Sequence, residues 1–136
     1  NIFVALRGER FDAHTLVKEA FAKGASVAIV DDRIKTGISD PQVPLVLVTD
    51  TLRALGALAH LHRKRFSLPV IAVAGSAGKT TTKEMTARLL SEHFSVLKTE
   101  GNFNNQVGVP LTLLRLSERD TAAVIEIGTN EPGEIE

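Results

Sequence analysis

The stretch from Val70 to Thr82, VIAVAGSAGKTTT, constrains this chain more than any other. Val70-Ile71-Ala72-Val73-Ala74 is a short apolar run of strand type. It passes directly into Gly75-Ser76-Ala77-Gly78-Lys79-Thr80, and a helix-compatible segment follows at once. Strand, glycine turn with lysine, then helix is the layout of a phosphate-binding loop. Glycines at 75 and 78 let the backbone curl so that several N–H groups point at one anion. Lys79 adds a positive charge, and the Thr80 hydroxyl suits a Mg²⁺ that bridges phosphates. An ordinary strand–helix turn with a surface lysine is the simpler alternative, but it leaves the joint glycine, lysine and threonine spacing without a reason. One position departs from the general pattern G-x-x-x-x-G-K-[ST], because Val73 stands where the first glycine belongs.

The rest of the chain reads as alternating strands and helices. Ile2 to Leu6 is strand-like. Asp12 is a good N-cap for a helix, with Phe11 before it as a hydrophobic staple and Gly24 as its stop. Strands are expected over 26–30 and 45–48, with loop over 33–44, where Gly37, Pro41 and Pro44 fall. A second helix is expected over 52–65, with Leu52, Leu55, Leu58, Ala59 and Leu61 as its apolar face. Arg63-Lys64-Arg65 reads as its solvated end rather than a ligand site. His60 and His62 point in different directions and make a poor metal pair, and His93 is isolated. After the loop, a helix over 81–92 is expected to bury Met85, Leu89 and Leu90. Strands follow over 95–97 and 121–127, with a helix over 110–116 between them. This β-α-β rhythm predicts an α/β fold with parallel strands.

Composition excludes some functions. Among 136 residues, 43% are hydrophobic and 24% charged, as in a globular domain. Lys+Arg and Asp+Glu both number 16, so no basic surface for nucleic acid or an anionic membrane is indicated. With no cysteine there is no disulfide and no thiolate metal site. No apolar run reaches membrane-spanning length. The chain opens inside a strand-like run at Asn1 and closes at Glu136 where a helix would start, so the expectation is a piece of a longer protein.

Glu126 lies within Ala123-Val124-Ile125-Glu126-Ile127-Gly128. A carboxylate near the end of an apolar strand is costly unless it is paired or binds a metal. Ligands gather at strand C-termini in parallel sheets, so Glu126 is a candidate for the same Mg²⁺ as Thr80. A half-exposed residue on an edge strand is the plainer reading. Asn102, Asn104 and Asn105, between Gly101 and Gly108, read by spacing alone as turn residues, as does Asn130.

Three segments together change the weight of these readings: AGSAGKTTTKEMTARLL, TEGNFNNQVGVPLTLLRL and AAVIEIGTNEPGEIE. They closely resemble the Mur ligases of bacterial cell-wall synthesis, and within that family the members that add D-alanyl-D-alanine. The upstream FVALRGERFDAH is similar to the family's N-terminal substrate domain, with Ala13 in place of the usual glycine before His14.

The resemblance implies three assignments along the chain. Residues 1–50 would be part of a domain holding the UDP-sugar peptide, 51–68 a connecting helix, and 69–136 the first part of a parallel-sheet ATPase domain. Gly75, Ser76, Ala77, Gly78, Lys79, Thr80 and Thr81 would wrap the ATP phosphates. Lys79 and Glu126 would be catalytic, with Thr80 and Glu126 on Mg²⁺. Asn102, Asn104, Asn105 and Asn130 would lie near nucleotide or substrate. The implied reaction transfers the γ-phosphate of ATP to the carboxylate of UDP-N-acetylmuramoyl-tripeptide. The amine of D-alanyl-D-alanine then displaces phosphate from the acyl phosphate. A cytoplasmic, monomeric bacterial enzyme is implied. The alternatives are another Mur ligase, a folylpolyglutamate synthase-like ligase, or, in a different class, a fragment that binds UDP-sugar or nucleotide without catalysis.

Overall fold

The computed structural model describes residues 1–8, 11–32 and 44–128. The chain divides into two compact units, Asn1–Leu55 and Gly56–Glu136.

In the first unit, β1 (Ile2–Val4), β2 (Val27–Asp31) and β3 (Leu45–Val48) form a parallel sheet in the order β1-β2-β3. A 3₁₀ turn over Ala13–Leu16 leads into helix α1 (Val17–Ala22), and both precede β2. Ala5, Val17, Ala28 and Val30 make the core, with Phe3, Phe21 and Leu45 packed on it. Asp12 caps as expected, its carboxylate accepting from the His14 N–H at 3.0 Å. Phe11 is exposed, so it does not staple the helix start. Gly24 ends the helix at φ +94°, a conformation that glycine adopts without steric cost.

Helix α2 (Thr51–Arg63) begins in the first unit and ends in the second. Asp50 caps it, accepting from the N–H groups of Leu52 and Arg53. Leu55 and Ala59 are buried, whereas Leu61 is exposed and falls off the apolar face assigned to it. His62 points away from a metal role: its Nε2 lies 2.9 Å from the Leu116 carbonyl, and its ring meets Phe66 edge-on at 5.0 Å.

The second unit holds β4 (Val70–Val73), α3 (Lys79–Leu90), β5 (Val96–Lys98), α4 (Gly108–Leu113) and β6 (Ala122–Glu126). The strand order is β4-β6-β5, all parallel. Strand β6 is therefore central and every residue of it is buried, which explains its unbroken apolar run. Alternate β6 residues face opposite layers. Ala123 and Ile125 pack with Leu97 and Leu116, and with Leu113 and Val109 around α4. Val124 packs with Val73 and Ala87 on the α3 side.

The buried face of α3 is not the expected one. Met85 is 62% and Leu89 68% exposed. The helix presents Lys83 and Ala87, both buried, together with the partly buried Leu90. Positions 83, 87 and 90 follow an i, i+4, i+7 stripe, so the periodicity is helical but phased differently. Packing on Val124 sets that phase. The small Ala87 allows close approach to the sheet, which bulkier Leu89 does not. Among the described residues no helix is long and apolar enough to cross a membrane.

Candidate phosphate-binding site

The loop between β4 and α3 is built as its glycines require. Gly75 has φ +146° and Gly78 φ +75°, both disfavoured for residues with a Cβ. Gly78 is the N-cap of α3, so the first helical residue is Lys79. The helix therefore starts with free backbone N–H groups and its positive dipole end at the loop. Ser76, Ala77, Gly78 and Thr80 are exposed, and Thr81 follows them in the first turn, also exposed. Lys79 folds back so that Nζ donates to the Gly75 carbonyl at 2.7 Å. Val73 is the last residue of β4 and is buried against Ala87 and Val124. The position where the general pattern has glycine is here a core position of the strand, and the tight turn begins two residues later.

Glu126 ends β6, and its register partner across the ladder is Val73. This places the carboxylate beside the strand that delivers the loop. Glu126 is 2% exposed on a central strand, so the half-exposed edge reading does not hold. Its side chain shares the α3 face with Val124. Asn104 Nδ2 donates to Glu126 Oε1 at 2.8 Å, and Lys83 Nζ lies 3.6 Å from Oε2. The Glu126 N–H donates to Thr99 Oγ1 at 2.9 Å, which fixes the backbone below the carboxylate. Lys83 also reaches Glu84 Oε1 at 3.2 Å, and Glu84 in turn pairs with Lys98. Lys98 and then Lys83 hold the Glu84 carboxyl below the usual range.

The asparagines divide in role. Asn104 touches Glu126. Asn105 works on the backbone: its Oδ1 accepts from the N–H groups of Val107 and Gly108, at 3.2 and 2.8 Å, and closes the turn into α4. Asn102 is exposed in the turn, with its carbonyl accepting from the Asn104 N–H at 2.7 Å. A Cβ at Gly108 would meet the Phe103 backbone at 2.4 Å, so only glycine allows the loop to lie on α4. Asn130 lies outside the described residues.

The donor set fits a divalent cation of the hard, oxygen-seeking kind. Glu126 Oε2 is buried and has no hydrogen-bond partner among the described residues. The Thr80 hydroxyl stands on the first turn of α3. No group of three or more His, Cys, Asp or Glu side chains is placed to cage a metal among the described residues. Mg²⁺ in phosphate sites uses one or two protein oxygens and takes the rest from phosphates and water.

Lys83 is the residue that sequence reasoning missed. The one sequence signal for it was general: a buried Glu126 demands a nearby cation, but the helix phase that makes Lys83 that cation is set by distant β6.

The chain is similar in sequence and in fold to known proteins. The Mur ligase middle domain matches residues 73–136. The UDP-N-acetylmuramoyl-tripeptide–D-alanyl-D-alanine ligase of Haemophilus influenzae is 48% identical over 99% of the chain, and that of Escherichia coli 47% over 98%. The chain spans 30% and 28% of those two relatives. A crystal structure of MurF from Acinetobacter baumannii superposes with a TM-score of 0.88 at 46% identity, over 99% of this chain and 29% of that one. MurF ligase from Thermotoga maritima, solved in complex with ADP, gives 0.86 at 36% identity, over 99% and 30%. The chain belongs to the Mur ligase family, and residues 73–136 match that family's middle domain.

Proposed function

We propose that the full-length protein joins D-alanyl-D-alanine to UDP-N-acetylmuramoyl-tripeptide at the expense of ATP. The observation that carries this is the pairing of the Gly75–Thr81 loop with Glu126, set side by side at the C-terminal ends of β4 and β6 by the Val73–Glu126 register. The printed activity of the relatives supports the choice of substrates, and the ADP complex of the Thermotoga ligase supports nucleotide binding. Residues 69–136 are read as the opening of the ATPase domain, 51–68 as the connecting helix and 1–50 as part of the UDP-sugar peptide domain.

In this reading the exposed loop N–H groups and the head of α3 bind the phosphates of ATP. Lys79 leaves the Gly75 carbonyl and meets the transferring end, where its charge offsets the charge that develops in phosphoryl transfer. Thr80 and Glu126 are the residues that would hold Mg²⁺. When bound, that ion neutralises phosphate charge and aligns the transferring group. Asn104 and Lys83 keep the Glu126 carboxylate in place. The tripeptide carboxylate takes the γ-phosphoryl group, and the dipeptide amine then displaces phosphate to form the amide. Residues 1–136 alone are read as a folded binding piece without turnover. The remaining assignments are a monomer in the bacterial cytoplasm.

The test is ADP release by the full-length protein in the presence of the muramoyl tripeptide. Release should require D-alanyl-D-alanine. Equal stimulation by a single amino acid would move the protein to another branch of the family.

A further inference from the structure

Lys83 stands one turn into α3 beyond the loop, and it is the most deeply buried cation among the described residues, with its side chain 1% exposed. It stands between two carboxylates in different surroundings. Glu126, at 3.6 Å, is 2% exposed; Glu84, at 3.2 Å, is 47% exposed. The longer contact is an ion pair outside hydrogen-bonding distance, which leaves Glu126 Oε2 without a donor. On the far side, Lys98 also engages Glu84. Two lysines thus face two glutamates, and the group balances in charge before any ligand arrives.

We infer that Lys83 is a resident counter-ion of Glu126: a positioning residue that stands beside the carboxylate, competes with a divalent cation for it, and yields by turning to Glu84. This rests on the reading of Glu126 as a metal ligand. A buried carboxylate without a cation is costly, so the metal-free protein needs one. A dication on Oε2 then crowds the ammonium with like charge. Glu84 is the next residue on the same helix and already touches Nζ, so the ammonium can move without losing a partner. Lys83 thereby sets how tightly the site takes a metal and ties metal entry to the Glu84–Lys98 pair.

The test is Mn²⁺ binding to the nucleotide-free full-length protein, read from the electron paramagnetic resonance signal of free Mn²⁺. Lys83→Met should tighten binding roughly tenfold, because the competing charge is gone. Glu84→Gln should weaken it several-fold, because Lys83 then has only Glu126, and in a Lys83→Met background this weakening should vanish. A purely structural lysine gives neither effect. Glu126→Gln should abolish binding. If it does, and both other variants bind Mn²⁺ as the wild type does, the counter-ion role is overturned while the metal reading stands. If Glu126→Gln leaves binding intact, the metal reading itself fails and the counter-ion role with it. Should Lys83→Met not fold, Glu84→Gln decides alone.

Discussion

Asn104 and Glu126 are joined by a 2.8 Å hydrogen bond from Nδ2 to Oε1, across 22 residues of sequence. The contact ties the loop after β5 to the end of the central strand. The backbone repeats the tie, since the Gly128 N–H donates to the Asn104 carbonyl. Asn104 is therefore a support for the carboxylate rather than a free turn residue. Asn104→Ala removes a donor from a buried charged acceptor and is expected to cost about 1–3 kcal/mol. Denaturant unfolding measures it, and Asn102→Ala, in the exposed part of the same turn, serves as the control with little change.

Lys79→Ala should abolish ATP turnover in the full-length protein with the fold retained. The Lys79 side chain makes its contact with a loop carbonyl, not with the core. Circular dichroism and ADP release, taken together, separate loss of chemistry from loss of structure; near-normal release would remove the loop from the mechanism.

Gly78 carries φ +75° at the head of α3. Gly78→Ala places a Cβ in the left-handed region at a cost of about 1–2 kcal/mol, although nothing lies within 4 Å of that Cβ. The penalty is conformational, so Gly78→Asn should recover part of it. Thermal unfolding of the three proteins gives the order glycine, asparagine, alanine.

Ala87 is 3% exposed where α3 meets Val73 and Val124. Ala87→Leu should overpack this contact and cost about 1–3 kcal/mol. Leu89→Gln, on the exposed face, should stay within about 0.5 kcal/mol. Equal effects at both positions would mean that the helix is phased the other way.

Asp12 is held down to about 2 from 3.8, first by the hydrogen bond from His14 and further by Arg7. The His14 ring is fixed between two partners. Its Nε2 accepts from the Asp31 N–H at 3.0 Å, so Nδ1 carries the proton shared with Asp12. Because the folded value is depressed, the stabilisation is present above about 4 and fades as pH falls through about 2. Carbon-detected titration should place the Asp12 carboxyl near 2 in the wild type. In His14→Gln, which removes the largest cause, it should move toward 3.8.

The parts of the site legible in sequence were those set by local chemistry. Gly75, Gly78, Lys79 and Thr80 need only their neighbours in the chain to make a loop, and the structure has that loop where the pattern put it. Parallel pairing followed from the β-α-β rhythm. What was not legible depends on contacts distant in sequence. The phase of α3 is set by β6, more than 30 residues later, so Met85 and Leu89 looked buried and Lys83 did not. The strand order β4-β6-β5 makes Glu126 central, and no local pattern states that order. Asn104 and Asn105 are adjacent and of one residue type, yet one holds a carboxylate and the other closes a turn.

The central position of β6 has a kinetic consequence. Both of its edges are occupied, by β4 and β5, and the next residue, Ile127, still donates to Val73. Glu126 therefore belongs to the part of the unit whose amides exchange with solvent most slowly. Gly75 and Gly78 lie in the turn before α3, and Lys79 and Thr80 in its first turn, where the backbone opens at lower cost than in a central strand. The two halves of the site run on separate clocks. A ligand arriving there meets a carboxylate already fixed in a central strand, and the adjustment it demands falls on the loop and on the lysine side chains around it.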